Sequence, residues 1–84
     1  MIVECTGEIV SENCILSLAK HVDKESNASY KIEIEYNNMV TLRKSKSIED
    51  ESKAKLIYEK LKDYIKRYGI PSEIEFDTFI SSRL

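Results

Sequence analysis

Eighty-four residues make one small domain, 1–84, able to bury roughly 60 to 65% of the surface its unfolded chain exposes. The chain is 42% hydrophobic and 33% charged, the mix of a folded globular protein rather than a disordered one. Its net charge of −2 excludes a whole-molecule field that draws it to DNA, RNA or an acidic membrane, and no apolar run approaches the roughly 18 residues of a membrane span.

In chain order, the opening "MIVECTGEIV" reads as a strand, with Val3, Cys5 and Ile9 on one side and Gly7 marking a bulge or bend. It lacks the basic region and apolar core of a signal peptide, so the chain reads as cytoplasmic and Cys5 and Cys14 as free thiols. The sequon at Asn27-Ala28-Ser29 then carries no meaning.

Residues 11–24, "SENCILSLAKHVDK", admit two readings. Cys14, Ile15, Leu18, Ala19 and Val22 fall on one helix face, with Ser11 as a cap. Leu16, Leu18 and Val22 also alternate with Ser17, Ala19 and His21, as in a strand. The helix is preferred.

The next stretch, "YKIEIEYNNMVTLRKS", reads as a β-hairpin. Ile32, Ile34 and Tyr36 alternate with Lys31, Glu33 and Glu35, and Val40 and Leu42 alternate with Thr41 and Arg43. Asn37-Asn38 supplies the turn, because both residues tolerate positive φ.

A long helix is predicted at 48–68. Ser47 caps it in a box with Asp50, acidic residues fill its first turn, and Gly69-Ile70-Pro71 ends it in a Schellman-type stop. Ala54, Ile57, Leu61, Tyr64, Ile65 and Tyr68 share its core arc. Lys53, Lys60 and Arg67 line one border of that arc, and Lys55, Lys62 and Lys66 the other.

The tail, "PSEIEFDTFISSRL", is again two-sided. Ile74, Phe76, Thr78 and Ile80 alternate as in a strand, whereas Ser72 with Glu75 mimics a capping box and Phe76, Phe79 and Ile80 share a helix face. The strand is preferred. The preferred choices give an α+β fold in the ferredoxin-like order βαββαβ, a small antiparallel sheet with the long helix packed on one face. The alternative is a β-meander closed by the long helix, with a short terminal helix.

Catalytic parts are scarce. On a helix, the single histidine, His21, lies about 10 Å along the axis from Cys14, too far for a thiolate–imidazole pair. Cys5, Cys14 and His21 match no zinc spacing. Two glycines, Gly7 and Gly69, cannot build a phosphate-cradling loop. The βαββαβ order is similar to that of acylphosphatases, but their glycine-rich, arginine-bearing phosphate loop is missing. No catalytic, metal or cofactor residue is assigned, and the chain is not expected to be an enzyme.

Interaction with a macromolecule remains. The expectation is a protein–protein interaction module that binds a protein partner or itself as a homodimer, in the manner of a viral or mobile-element accessory or inhibitor protein. Leu56, Glu59 and Asp63, on the outward helix face, are its candidate contacts, and an open sheet edge is a second route. Residues 45–71 carry seven basic against five acidic groups, so the alternative is weak nucleic-acid binding through Arg43, Lys44, Lys46, Lys53 and Lys60. That reading is the less favoured, because the open sheet face offers no aromatic ring on which a base can stack.

Overall fold

A computed structural model describes residues 2–11, 14–36 and 41–84 of the chain. It contains four strands, β1 (Ile2–Ser11), β2 (Cys14–Val22), β3 (Ala28–Tyr36) and β4 (Thr41–Lys44), followed by two helices, α1 (Glu51–Tyr68) and α2 (Glu73–Ser81). The strands form one antiparallel sheet in the order β1-β2-β3-β4. This is a meander with both helices after it, and it overturns the ferredoxin-like βαββαβ order. Asn37-Asn38 and Val40, the expected turn and the start of its second strand, lie outside the described residues.

Residues 14–22 form a strand, not the preferred helix, and the reason lies in where the strand sits. Cys14 and Leu16 are buried on the helix side, whereas Ala19 is buried on the other side. A central strand hydrogen-bonds a neighbour at each edge and tolerates apolar groups on both faces. In sequence, that two-sided apolarity imitates a helical stripe. The β2–β3 connection is tied by Asp23, whose Oδ1 accepts the N–H groups of Glu25 (2.8 Å) and Asn27 (2.9 Å). Those bonds hold its carboxyl below the usual carboxylate range.

Gly7 is not a bulge. β1 pairs regularly with β2 from Glu4 to Ile9, and the register shifts fall on either side, at Val3 and Val10. A Cβ at Gly7 would approach the Ser17 Oγ to 3.2 Å, which favours the missing side chain.

Past β4 the chain continues along β3. Ser45 N–H donates to the Ile32 carbonyl (2.8 Å), and its buried Oγ accepts the Ile32 N–H (2.9 Å). Tyr30 and Ile48 then exchange both backbone bonds at 2.8 Å. Ile48 is therefore committed to the sheet, and α1 cannot begin at Ser47. Its cap is Asp50, whose Oδ1 accepts the Lys53 N–H at 3.2 Å. At the other end Gly69 takes φ +92° and donates to the Ile65 carbonyl (2.9 Å), a conformation that disfavours any side chain.

The tail is a helix rather than the preferred strand. Ser72 and Glu75 complete a reciprocal capping box, with Oγ accepting the Glu75 N–H and the Glu75 carboxylate accepting the Ser72 N–H, both at 3.2 Å. Phe76 and Ile80, four residues apart, are buried, while Ile74, on the core side in a strand reading, is 78% exposed.

Both helices lie on one face of the sheet, over Cys14, Leu16, Tyr30, Ile32 and Ile34. Tyrosines pin the layers together. Tyr58 donates to the Leu16 carbonyl (3.2 Å), Tyr30 to Glu51 at the start of α1 (2.9 Å), and Tyr36 to the Pro71 carbonyl before α2 (2.9 Å). Burial pushes the Tyr58 hydroxyl up to about 12, so it stays a neutral donor. No helix among the described residues is long and apolar enough to cross a membrane.

Candidate functional site

The register of β3 on β4 decides which cations face solvent together. Ile34 opposes Arg43 and Glu33 opposes Lys44, and directly opposed residues share a face. Arg43 therefore lies on the helix side, not on the open face where simple alternation places it. There its guanidinium forms a bidentate pair with Asp77 of α2 and approaches Glu73 at 3.8 Å. The same guanidinium holds the Asp77 carboxyl below the usual carboxylate range. Lys44 reaches back across the open face to Glu33, which is nearly buried, at 3.3 Å. Arg43, Lys44 and Lys46 do line one hollow, together with Asp77, Ser81 and Leu84. Two of its three cations are already engaged with carboxylates, so it is a poor anion site.

The helix lysines divide as their borders require. Lys55 pairs with Glu51 at 2.7 Å, and Lys62 pairs with Glu59 at 3.0 Å and with Glu8 of β1 at 3.4 Å. That border faces β1. On the opposite border Lys60 and Arg67 meet α2 instead. They line a hollow with Asp63, Tyr64, Tyr68, Phe79 and Arg83. Lys53 lines neither hollow.

This second hollow is built from three rings. Tyr64 and Tyr68 have centroids 5.1 Å apart, Tyr64 and Phe79 5.5 Å, both in tilted contact. The Arg83 guanidinium sits 3.6 Å over the Phe79 centroid, while its Nη1 donates to the Phe79 carbonyl and the Ser82 Oγ. Tyr64 donates to Glu75 at 3.3 Å, which fixes the middle ring. Tyr68, placed in the core by periodicity, is 74% exposed. It sits in the last turn of α1, and its ring is available to a ligand.

Sequence reasoning reached Lys60 but missed Tyr64, Tyr68, Phe79, Arg67 and Arg83 as a group. The signal was there in the helical spacing of Phe76, Phe79, Ile80 and Arg83, yet it has meaning only if the tail is a helix. Of the expected partner contacts, Leu56 is 56% exposed, Glu59 is held by Lys62, and Asp63 belongs to the ring hollow.

The cysteine chemistry is limited by the sheet. Cys14 and His21 lie on opposite faces of β2 and about 23 Å apart along it, at a rise of about 3.3 Å per residue. Cys5 shares the open face with His21, so the two thiols also point to opposite sides of the sheet. Burial pushes the Cys14 thiol up to about 11, whereas Cys5 is exposed. Since the thiolate is the reactive form, a disulfide reagent at pH 8 is expected to titrate Cys5 rapidly in the native protein and Cys14 only after denaturation. Two fast thiols would show that Cys14 does not lie beneath the helices.

No family model matches this chain, and no curated protein or solved structure matches it significantly.

Proposed function

We propose that the protein is a small binding module for single-stranded nucleic acid, with the ring hollow between α1 and α2 as its contact surface. The observation that carries this reading is the juxtaposition of Tyr64, Tyr68 and Phe79 with Lys60, Arg67 and Arg83. No ion pair engages these three cations among the described residues. Stacking of a base on an exposed ring is worth about 1 to 3 kcal/mol and tolerates any sequence, and nearby cations follow the phosphates. Duplex DNA keeps its bases stacked inside and cannot use such rings. Asp63 and a net charge of −2 keep the attraction local and weak. The sheet-based mode of aromatic RNA binders is not available here, and the helices take its place.

The test is fluorescence anisotropy with a labelled oligothymidylate at two salt concentrations. Binding is expected at about 10 μM or weaker at physiological salt. With about three phosphates neutralised on a single strand, the log–log salt slope should be about −2. Tyr68→Ala removes an exposed ring without touching the core and should weaken binding by about 5- to 150-fold, the equivalent of one stacked base. Arg67→Gln should reduce the salt slope by about 0.7. The reading fails if no binding is detected at low salt, or if binding is lost in Lys44→Gln/Lys46→Gln and survives Tyr68→Ala.

A further inference from the structure

We infer that β1 is a self-pairing edge: two copies of the chain join their β1 strands antiparallel, about a two-fold axis normal to the sheet at Gly7, into one continuous sheet. This goes beyond the nucleic-acid reading and does not depend on it.

The two edges of the sheet are unlike. β4 has four residues and carries Arg43 and Lys44, and its Arg43 is engaged by the acidic residues of α2. A short, cationic edge resists pairing. β1 has ten residues and contains no Lys, Arg or Pro. Its irregularities at Val3 and Val10 flank a regular stretch from Glu4 to Ile9 whose outer backbone groups face no strand among the described residues. A regular edge running from Glu4 to Ile9 is a template for another strand.

The side chains then choose the partner and the register. A two-fold axis normal to the sheet keeps each face on its own side, so only residues of one face can oppose one another. Centring on Thr6 sets Glu4 against Glu8 of the second copy, and centring on Glu8 sets it against itself. Both place like charges in direct opposition, which is unfavourable. Centring on Cys5 draws the irregular stretch at Val3 into the pairing, opposite Gly7. Centring on Gly7 sets Thr6 against Glu8 and Cys5 against Ile9, with no like charges opposed. Ile9 is 77% exposed in the single chain and has Ile15 of β2 beside it on the open face, so this register covers a strongly exposed apolar group. Glu8 already has Lys62 at 3.4 Å, which tempers the acidic row on the helix side. The ring hollow lies on the other border of α1 and stays open in both copies.

Light scattering across a dilution series up to about 100 μM is expected to show a dimer. Ile9→Lys should disperse it to monomers with unchanged far-ultraviolet circular dichroism, because Ile9 is outside the buried core, and with a thermal midpoint that no longer rises with protein concentration. Under oxidised glutathione, Ile9→Cys should form a covalent dimer through Cys5 of the second copy, and Ile9→Cys/Cys5→Ser should not. Leu56→Glu should leave the dimer intact. A wild-type monomer at 100 μM overturns the inference. So does a dimer that survives Ile9→Lys, or one in which Ile9→Cys fails to crosslink.

Discussion

Phe76→Ala is expected to cost about 3 to 5 kcal/mol, a large part of the roughly 4 to 13 kcal/mol that a chain of this length holds in total. Phe76 is fully buried and anchors a helix of nine residues, too short to persist alone in water. The capping box and the Arg43–Asp77 pair lie at the surface, where such contacts contribute little. Docking of α2 therefore rests on Phe76 and Ile80. Urea unfolding monitored by circular dichroism would show the transition midpoint falling toward zero denaturant. A loss below about 1 kcal/mol would mean that α2 is not docked in solution. The same variant should abolish the ring hollow, since Phe79 and Arg83 reach it only from a docked α2.

Leu61→Ala should cost about 2 to 5 kcal/mol. Leu61 is buried at the middle of the α1 stripe, between Ile57 and Ile65 and against the sheet. Truncation leaves a cavity that neither a regular helix nor a hydrogen-bonded sheet can close. Because α1 packs across β1, β2 and β3, its loss is expected to be global rather than local. Hydrogen exchange should then show the amides of α1 and of β2 and β3, the slowest in the wild type, speeding up together. A loss below about 0.5 kcal/mol would mean that α1 turns a different face to the core.

Elements whose signals are local were legible from the residues alone. The α1 stripe of Ala54, Ile57, Leu61 and Ile65 and its stop at Gly69 depend on side chains within a few positions of each other. So does the alternation of Ile32 and Ile34 with Lys31, Glu33 and Glu35 in β3. Even there, the start of α1 moved from Ser47 to Asp50, because Ile48 is held by Tyr30, eighteen residues upstream in the chain. The candidate site was less legible. Lys60 was identifiable as a cation on a helix border, but its aromatic company is contributed by α2, whose own identity was the open question.

What the sequence determined by itself is therefore the set of choices with short-range physics: an α+β chain, a long amphipathic helix with capped ends, and a charged open face on β3. Only the tertiary structure decided between helix and strand at Cys14–Val22 and at Glu73–Ser81. In each segment the apolar residues satisfy both periodicities. The free-energy difference comes from partners outside the segment: the edges of β1 and β3 that flank β2, and the gap beside Tyr36, Arg43 and Tyr64 that α2 fills. A backbone donor or an apolar pocket supplied by another element leaves no periodic mark in the segment it stabilises, and so the ring hollow, which exists only when α2 is a helix, had to wait for the fold.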